Sequence, residues 1–105
     1  SYGGWIAQTL GGGTTADPAS GATVTTGRDP RVSVVVVFSG PGALPPVLRP
    51  EDFRALSVPA LVTVGTNDLA MTPGLTGYRL RRQPFDFAPP GDKYLLALRD
   101  ADHYL

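Results

Sequence analysis

Apolar residues along this chain come in short bunches divided by glycine and proline, and the bunches differ in kind. Val32 to Phe38 is a run of β-branched residues whose polarity is broken only by Ser33. A run like this suits a strand buried on both faces, as in a parallel sheet. Ala60 to Val64 reads as a second buried strand and Tyr94 to Leu98 as a third strand. Elsewhere the spacing is helical. Trp5, Ile6 and Leu10 share one face of a helix over residues 3–10. Gly11-Gly12-Gly13 ends that helix, since glycine accepts the left-handed conformation just past a helix terminus. Pro50 to Leu56 opens with a proline and two acids, the composition of a helix start, and Ser57-Val58-Pro59 breaks it. Residues 12–30 are small and polar, with turn signals at Asp17-Pro18 and Arg28-Asp29-Pro30, and read as a loop with a short hairpin around Ala22–Thr26. In residues 69–93, Met71-Thr72-Pro73-Gly74 and Pro84 argue against one long helix; a short one over Leu80 to Phe87 precedes the turn Pro89-Pro90-Gly91-Asp92.

The order is therefore helix, strand, helix, strand, an irregular segment with a short helix, and strand. Alternation of this kind predicts an α/β fold with parallel strands and right-handed crossovers. Three strands are few for such a sheet, whose faces need helices and whose edges need neighbours. The expectation is one partial domain over residues 1–105, the C-terminal part of a larger α/β unit. On that reading the upstream strands and a helix after His103 lie outside the chain. Alone it is expected to be inactive and to aggregate through the exposed edges of Val32 to Phe38.

Composition narrows the function. The chain has 105 residues, is 42% hydrophobic and 17% charged, and carries nine basic and nine acidic residues. The balanced charge calls for no nucleic acid and no anionic lipid. The densest basic cluster, Arg79, Arg81 and Arg82, reads as a solvated face. The absence of cysteine excludes disulfides, thiolate catalysis and zinc–thiolate sites within the chain. No apolar run reaches the roughly 18 residues of a membrane span.

Three residues stand where chemistry would place them. Ser1-Tyr2-Gly3-Gly4 matches the downstream half of G-x-S-x-G, the strand-to-helix turn that presents a nucleophilic serine. Asp68 follows the run Val58 to Gly65, and His103, the sole histidine, follows Tyr94 to Leu98. Serine, acid and histidine in that order, the last two just past strand ends, is the chain order of an α/β-hydrolase triad. A serine hydroxyl needs a base to take its proton, an imidazole suits that task near neutral pH, and a carboxylate fixes the imidazole tautomer. The backbone N–H of Tyr2 is the candidate oxyanion donor. Trp5, Ser39, Leu69 and Tyr104 are candidates to line a substrate pocket. Singly, each signal has a plainer reading: Asp68 as a turn former, His103 as a surface residue, Ser-x-Gly-Gly as coincidence. Ser39 follows a strand, but Phe38 and Gly40 do not give the elbow pattern. Asp102 adjoins His103 and so points elsewhere; Asp92 and Asp100 read as solvated.

The stretches Val58 to Asp68 and Pro84-Phe85 … Pro90-Gly91-Asp92-Lys93-Tyr94 … Ala101-Asp102-His103 resemble the ends of α/β-hydrolase domains in dienelactone-hydrolase-like proteins and platelet-activating-factor acetylhydrolase-like esterases. Ser1-Tyr2-Gly3-Gly4 resembles their nucleophile elbow. The resemblance implies a carboxylic ester hydrolase acting on a small-molecule ester through an acyl-enzyme. Ser1 would be its nucleophile, Asp68 its acid and His103 its base, with no metal or other cofactor. Dienelactone hydrolases proper use cysteine, which this chain lacks, so the serine esterases fit better. Peptidase or thioesterase chemistry on the same fold, and a non-catalytic binding module, are the alternatives.

Overall fold

The computed structural model describes residues 1–70 and 74–104; Met71-Thr72-Pro73, read as part of a helix-breaking segment, lies outside them. Helix α1 spans Tyr2–Leu10, capped by the Ser1 hydroxyl, which accepts from the Gly4 N–H at 3.4 Å. Gly11 closes the helix, and Gly12 just beyond it takes φ +119°, the left-handed glycine the sequence calls for. Strands β1 (Thr15–Ala16) and β2 (Thr23–Val24) then pair antiparallel. Ala22–Thr26 is thus one arm of a wider hairpin and not a hairpin in itself. The Asp17 carboxylate accepts from the Ala19 N–H and the Ser20 hydroxyl, which starts the turn upstream of that segment.

Three parallel strands follow in sequential order across one sheet: β3 (Val35–Phe38), β4 (Ala60–Gly65) and β5 (Lys93–Leu98). Between β3 and β4 lies α2 (Pro50–Phe53); between β4 and β5 lie α3 (Gly77–Arg81) and α4 (Gln83–Phe87). Helix α2 is shorter than the expected Pro50 to Leu56. The Leu56 N–H bonds to the Phe53 carbonyl and the Ser57 N–H to Gly11, which turns the chain down beside the end of α1. The helix expected over Leu80 to Phe87 is two short ones, because Pro84 has no N–H to continue the ladder and its ring disfavours an unbroken helix.

The core lies on one face of the sheet. Val35 and Val37 of β3 and Ala60, Val62 and Val64 of β4 pack with Leu56 and Val58, and Ala7, Tyr78 and Phe85 close over them from α1, α3 and α4. A second cluster joins Phe53, Leu48 and Ala43, with the Phe53 and Phe87 rings stacked at 6.4 Å. The opposite face corrects the expectation of strands buried on both sides. In register, Val36, Leu61 and Tyr94 form one row and Phe38, Thr63 and Leu96 the next. Phe38 is 66% exposed and Val36, Tyr94 and Leu96 are exposed with it. Largely apolar strands of this kind receive helical cover, among the described residues, on one side only. The result is a small mixed α/β domain, a parallel sheet flanked by helices.

Candidate functional site

The chemistry-bearing residues gather where the strands end. β4 turns out through Gly65-Thr66-Asn67-Asp68 and β5 through Arg99 to Asp102. The two turns are stitched together by backbone. The Thr66 N–H donates to the Leu98 carbonyl at 3.0 Å, the Asn67 N–H to Ala101 at 2.9 Å, and the Asp100 N–H to the Thr66 hydroxyl at 2.7 Å. This stitching carries Asp68 and His103, 35 residues apart, into contact. His103 Nδ1 lies 3.2 Å from each carboxylate oxygen of Asp68. The Asp68 side chain is fully buried, and Oδ1 also accepts the Leu69 N–H at 2.7 Å. Tyr104 sets its ring edge-on to the imidazole at 5.5 Å and is otherwise exposed.

Arg81 is the residue sequence reasoning misplaced. Its side chain is only 3% exposed, not part of a solvated face. Nε lies 3.0 Å from Asp68 Oδ1 and donates to the Leu69 carbonyl at 3.1 Å. Nη1 donates to the carbonyls of Ser39 at 2.8 Å and Gly40 at 3.2 Å. Arg82, by contrast, pairs with Asp86 at 3.1 Å on the surface, and its guanidinium lies over the Tyr78 ring.

Ser1 sits at the end of α1 against the end of β3. Its hydroxyl donates to the Phe38 carbonyl at 3.2 Å and accepts from Gly4, and among the described residues it makes no hydrogen bond to His103. Its amino group donates to the Ser39 carbonyl. That amine is held below its ordinary value of 8.0, chiefly by burial and then by the Arg81 charge, with Asp68 opposing. The close approach of α1 to this strand end rests on Gly4, where a Cβ would lie 2.7 Å from the Gly40 Cα; at Gly3 the nearest atom is the Ser1 hydroxyl, 3.8 Å away. Ser39 takes φ +41°, a left-handed conformation that turns its carbonyl toward Arg81.

Two cavities flank Ser1. One, of about 200 Å³, is lined by Ser1, Ser39, Thr63 and His103 together with Phe38 and Leu96 from the bare sheet face. The other, of about 100 Å³, is apolar and formed by Tyr2, Trp5, Pro41 and Leu44 beside Ser1. The Tyr2 and Trp5 rings there are nearly parallel, 6.3 Å apart. Of the four residues expected to line a pocket, Ser39 and Trp5 do so, whereas Leu69 and Tyr104 line neither of these two cavities. Tyr2 N–H opens α1, where no intrahelical acceptor exists for it.

Among the described residues no three His, Asp or Glu side chains cluster as metal ligands would, and no helix is long and apolar enough to cross a membrane. Comparison with protein-family models, with curated proteins and with solved structures found no match to this chain.

Proposed function

We propose that the chain has an α/β-hydrolase fold and that the site hydrolyses carboxylic esters. The observation that carries this reading is the contact of the lone imidazole with a fully buried carboxylate, 3.2 Å from Nδ1 to each oxygen, beside a cavity that Ser1 also lines. A carboxylate behind Nδ1 holds the proton there and leaves Nε2 free to act as base. For attack, the Ser1 hydroxyl leaves the Phe38 carbonyl and turns to that nitrogen. The serine oxygen bonds to the ester carbonyl carbon while His103 takes the proton, and the alcohol departs with that proton. Water, deprotonated by the same imidazole, then releases the acid and regenerates Ser1. The Tyr2 N–H at the start of α1 donates to the oxyanion, a contact of a kind typically worth about 3–4 kcal/mol in the transition state.

The test is Ser1→Ala in the natural polypeptide that carries this chain. Hydrolysis of a short p-nitrophenyl ester should fall by several orders of magnitude, and an organophosphonate probe should label the parent at Ser1 only. Activity at the parent rate in the variant defeats the assignment. Amide and thioester substrates run in parallel separate peptidase and thioesterase chemistry. One observation favours a binding module instead: the Ser1 hydroxyl is engaged as a helix cap and by Phe38. A parent protein that never reacts with the phosphonate supports that second reading.

A further inference from the structure

We propose that Arg81 is the positioning residue of this site: its guanidinium fixes the Asp68 carboxylate against His103. The catalytic part of the proposal rests on the hydrolase reading; the positioning part does not.

The argument begins with burial. Asp68 has no exposed side-chain surface, and a buried carboxylate is costly unless it is paired. His103 offers charge only as imidazolium, and an imidazolium is no base. Arg81 supplies a charge that does not come and go with pH, so the imidazole is free to be neutral while Asp68 stays ionised. The remaining charged or titratable groups around the ring are Asp102 and Tyr104 beside it in sequence and the Ser1 amine across the cavity. Among the described residues none of these pairs with Asp68, whereas the Arg81 guanidinium does, its Nε 3.0 Å from Oδ1.

Geometry adds a second function. The guanidinium is planar and offers five donors in a fixed fork. Here it uses two nitrogens to touch the loop after β3, through Ser39 and Gly40, and the loop after β4, through Asp68 and Leu69. The β5 loop is already tied to the β4 loop by the Thr66 and Asn67 bonds. Through Arg81, then, the loop carrying the Ser1 contacts and the loop carrying the acid hold a fixed separation. A lysine keeps the charge but has one nitrogen on a flexible stem and cannot span both loops in this way.

The experiment uses Arg81→Met and Arg81→Lys in the natural polypeptide, with folding checked by circular dichroism. Nitrogen-15 imidazole spectra at pH 8, assigned with His103→Gln, are the first readout. The parent should show one neutral tautomer protonated on Nδ1, and both variants should show mixed tautomers or imidazolium. Ester turnover is the second: kcat should fall about 10–100-fold in Arg81→Met with KM within about threefold, and Arg81→Lys should recover part of it, in line with groups that orient catalytic ligands. Should Arg81→Met fail to fold, Arg81→Lys, which retains the buried cation, decides. A folded variant with the parent's single tautomer overturns the proposal. A parent without ester turnover defeats the hydrolase reading alone, and the imidazole spectra still decide the role of Arg81.

Discussion

Replacing Asp68 by asparagine keeps the shape of the side chain and removes its charge, leaving Arg81 buried without its anion. Breaking a buried ion pair from one side costs about 3–5 kcal/mol. Asparagine gives part of this back, because its amide oxygen keeps a dipole beside the guanidinium and still accepts from the Leu69 N–H. The carbonyls of Ser39, Gly40 and Leu69 continue to solvate the guanidinium as well. The expected net loss is about 2 kcal/mol, which at a urea slope of about 2 kcal/mol/M moves the unfolding midpoint down by about 1 M. The assay is equilibrium urea denaturation of the natural polypeptide followed by tryptophan fluorescence. Asp68→Asn combined with Arg81→Met removes both charges and should return most of the lost stability, because the penalty comes from the unpaired cation. A single variant whose midpoint stays within about 0.2 M of the parent refutes the claim that this pair is buried and mutually dependent.

Three further outcomes are expected. Gly4→Ala should destabilise by about 1–3 kcal/mol, because its Cβ meets the Gly40 backbone at 2.7 Å, while Gly3→Ala should be neutral or stabilising; equal thermal stability for both would remove the close-approach argument. Burial pushes the Asp52 carboxyl up, but hydrogen bonds from Arg49 and Thr14 outweigh it and hold the group below its usual 3.8. Its contribution is therefore present above about pH 4 and lost as the pH falls through the folded-state value, and Asp52→Asn should flatten the acid side of the stability–pH curve; unchanged slope there removes Asp52 as the cause. Trp5→Ala should enlarge the apolar cavity of about 100 Å³ beside Ser1 and shift ester preference toward longer apolar chains, read as kcat/KM across an acyl series; an unchanged chain-length profile excludes this cavity as a substrate subsite.

The parallel sheet was legible because its three strands are short β-branched or leucine runs bounded by glycine and proline. The face that each strand exposes was not, since an all-apolar run carries no alternation to tell one face from the other. Asp68 and His103 could be named from chain order and strand ends, and they do meet in space. Arg81 could not be named: its burial depends on the loops after β3 and β4 converging on α3, a contact among segments about 40 residues apart. Nor did the sequence foretell that Gly4, and not Gly3, is the glycine against which the end of β3 packs. The elbow pattern marks where small residues belong but not which of them the neighbouring backbone reaches.

The turns after β4 and β5 share three backbone-anchored bonds, from Thr66, Asn67 and Asp100. They are consequently expected to open and close as a single body, with the carboxylate and the imidazole riding on it together. Amide exchange at Thr66, Asn67 and Asp100 should proceed at one common rate, marking a cooperative unit whose opening would carry the Asp68 and His103 side chains away from Ser1 in the same event.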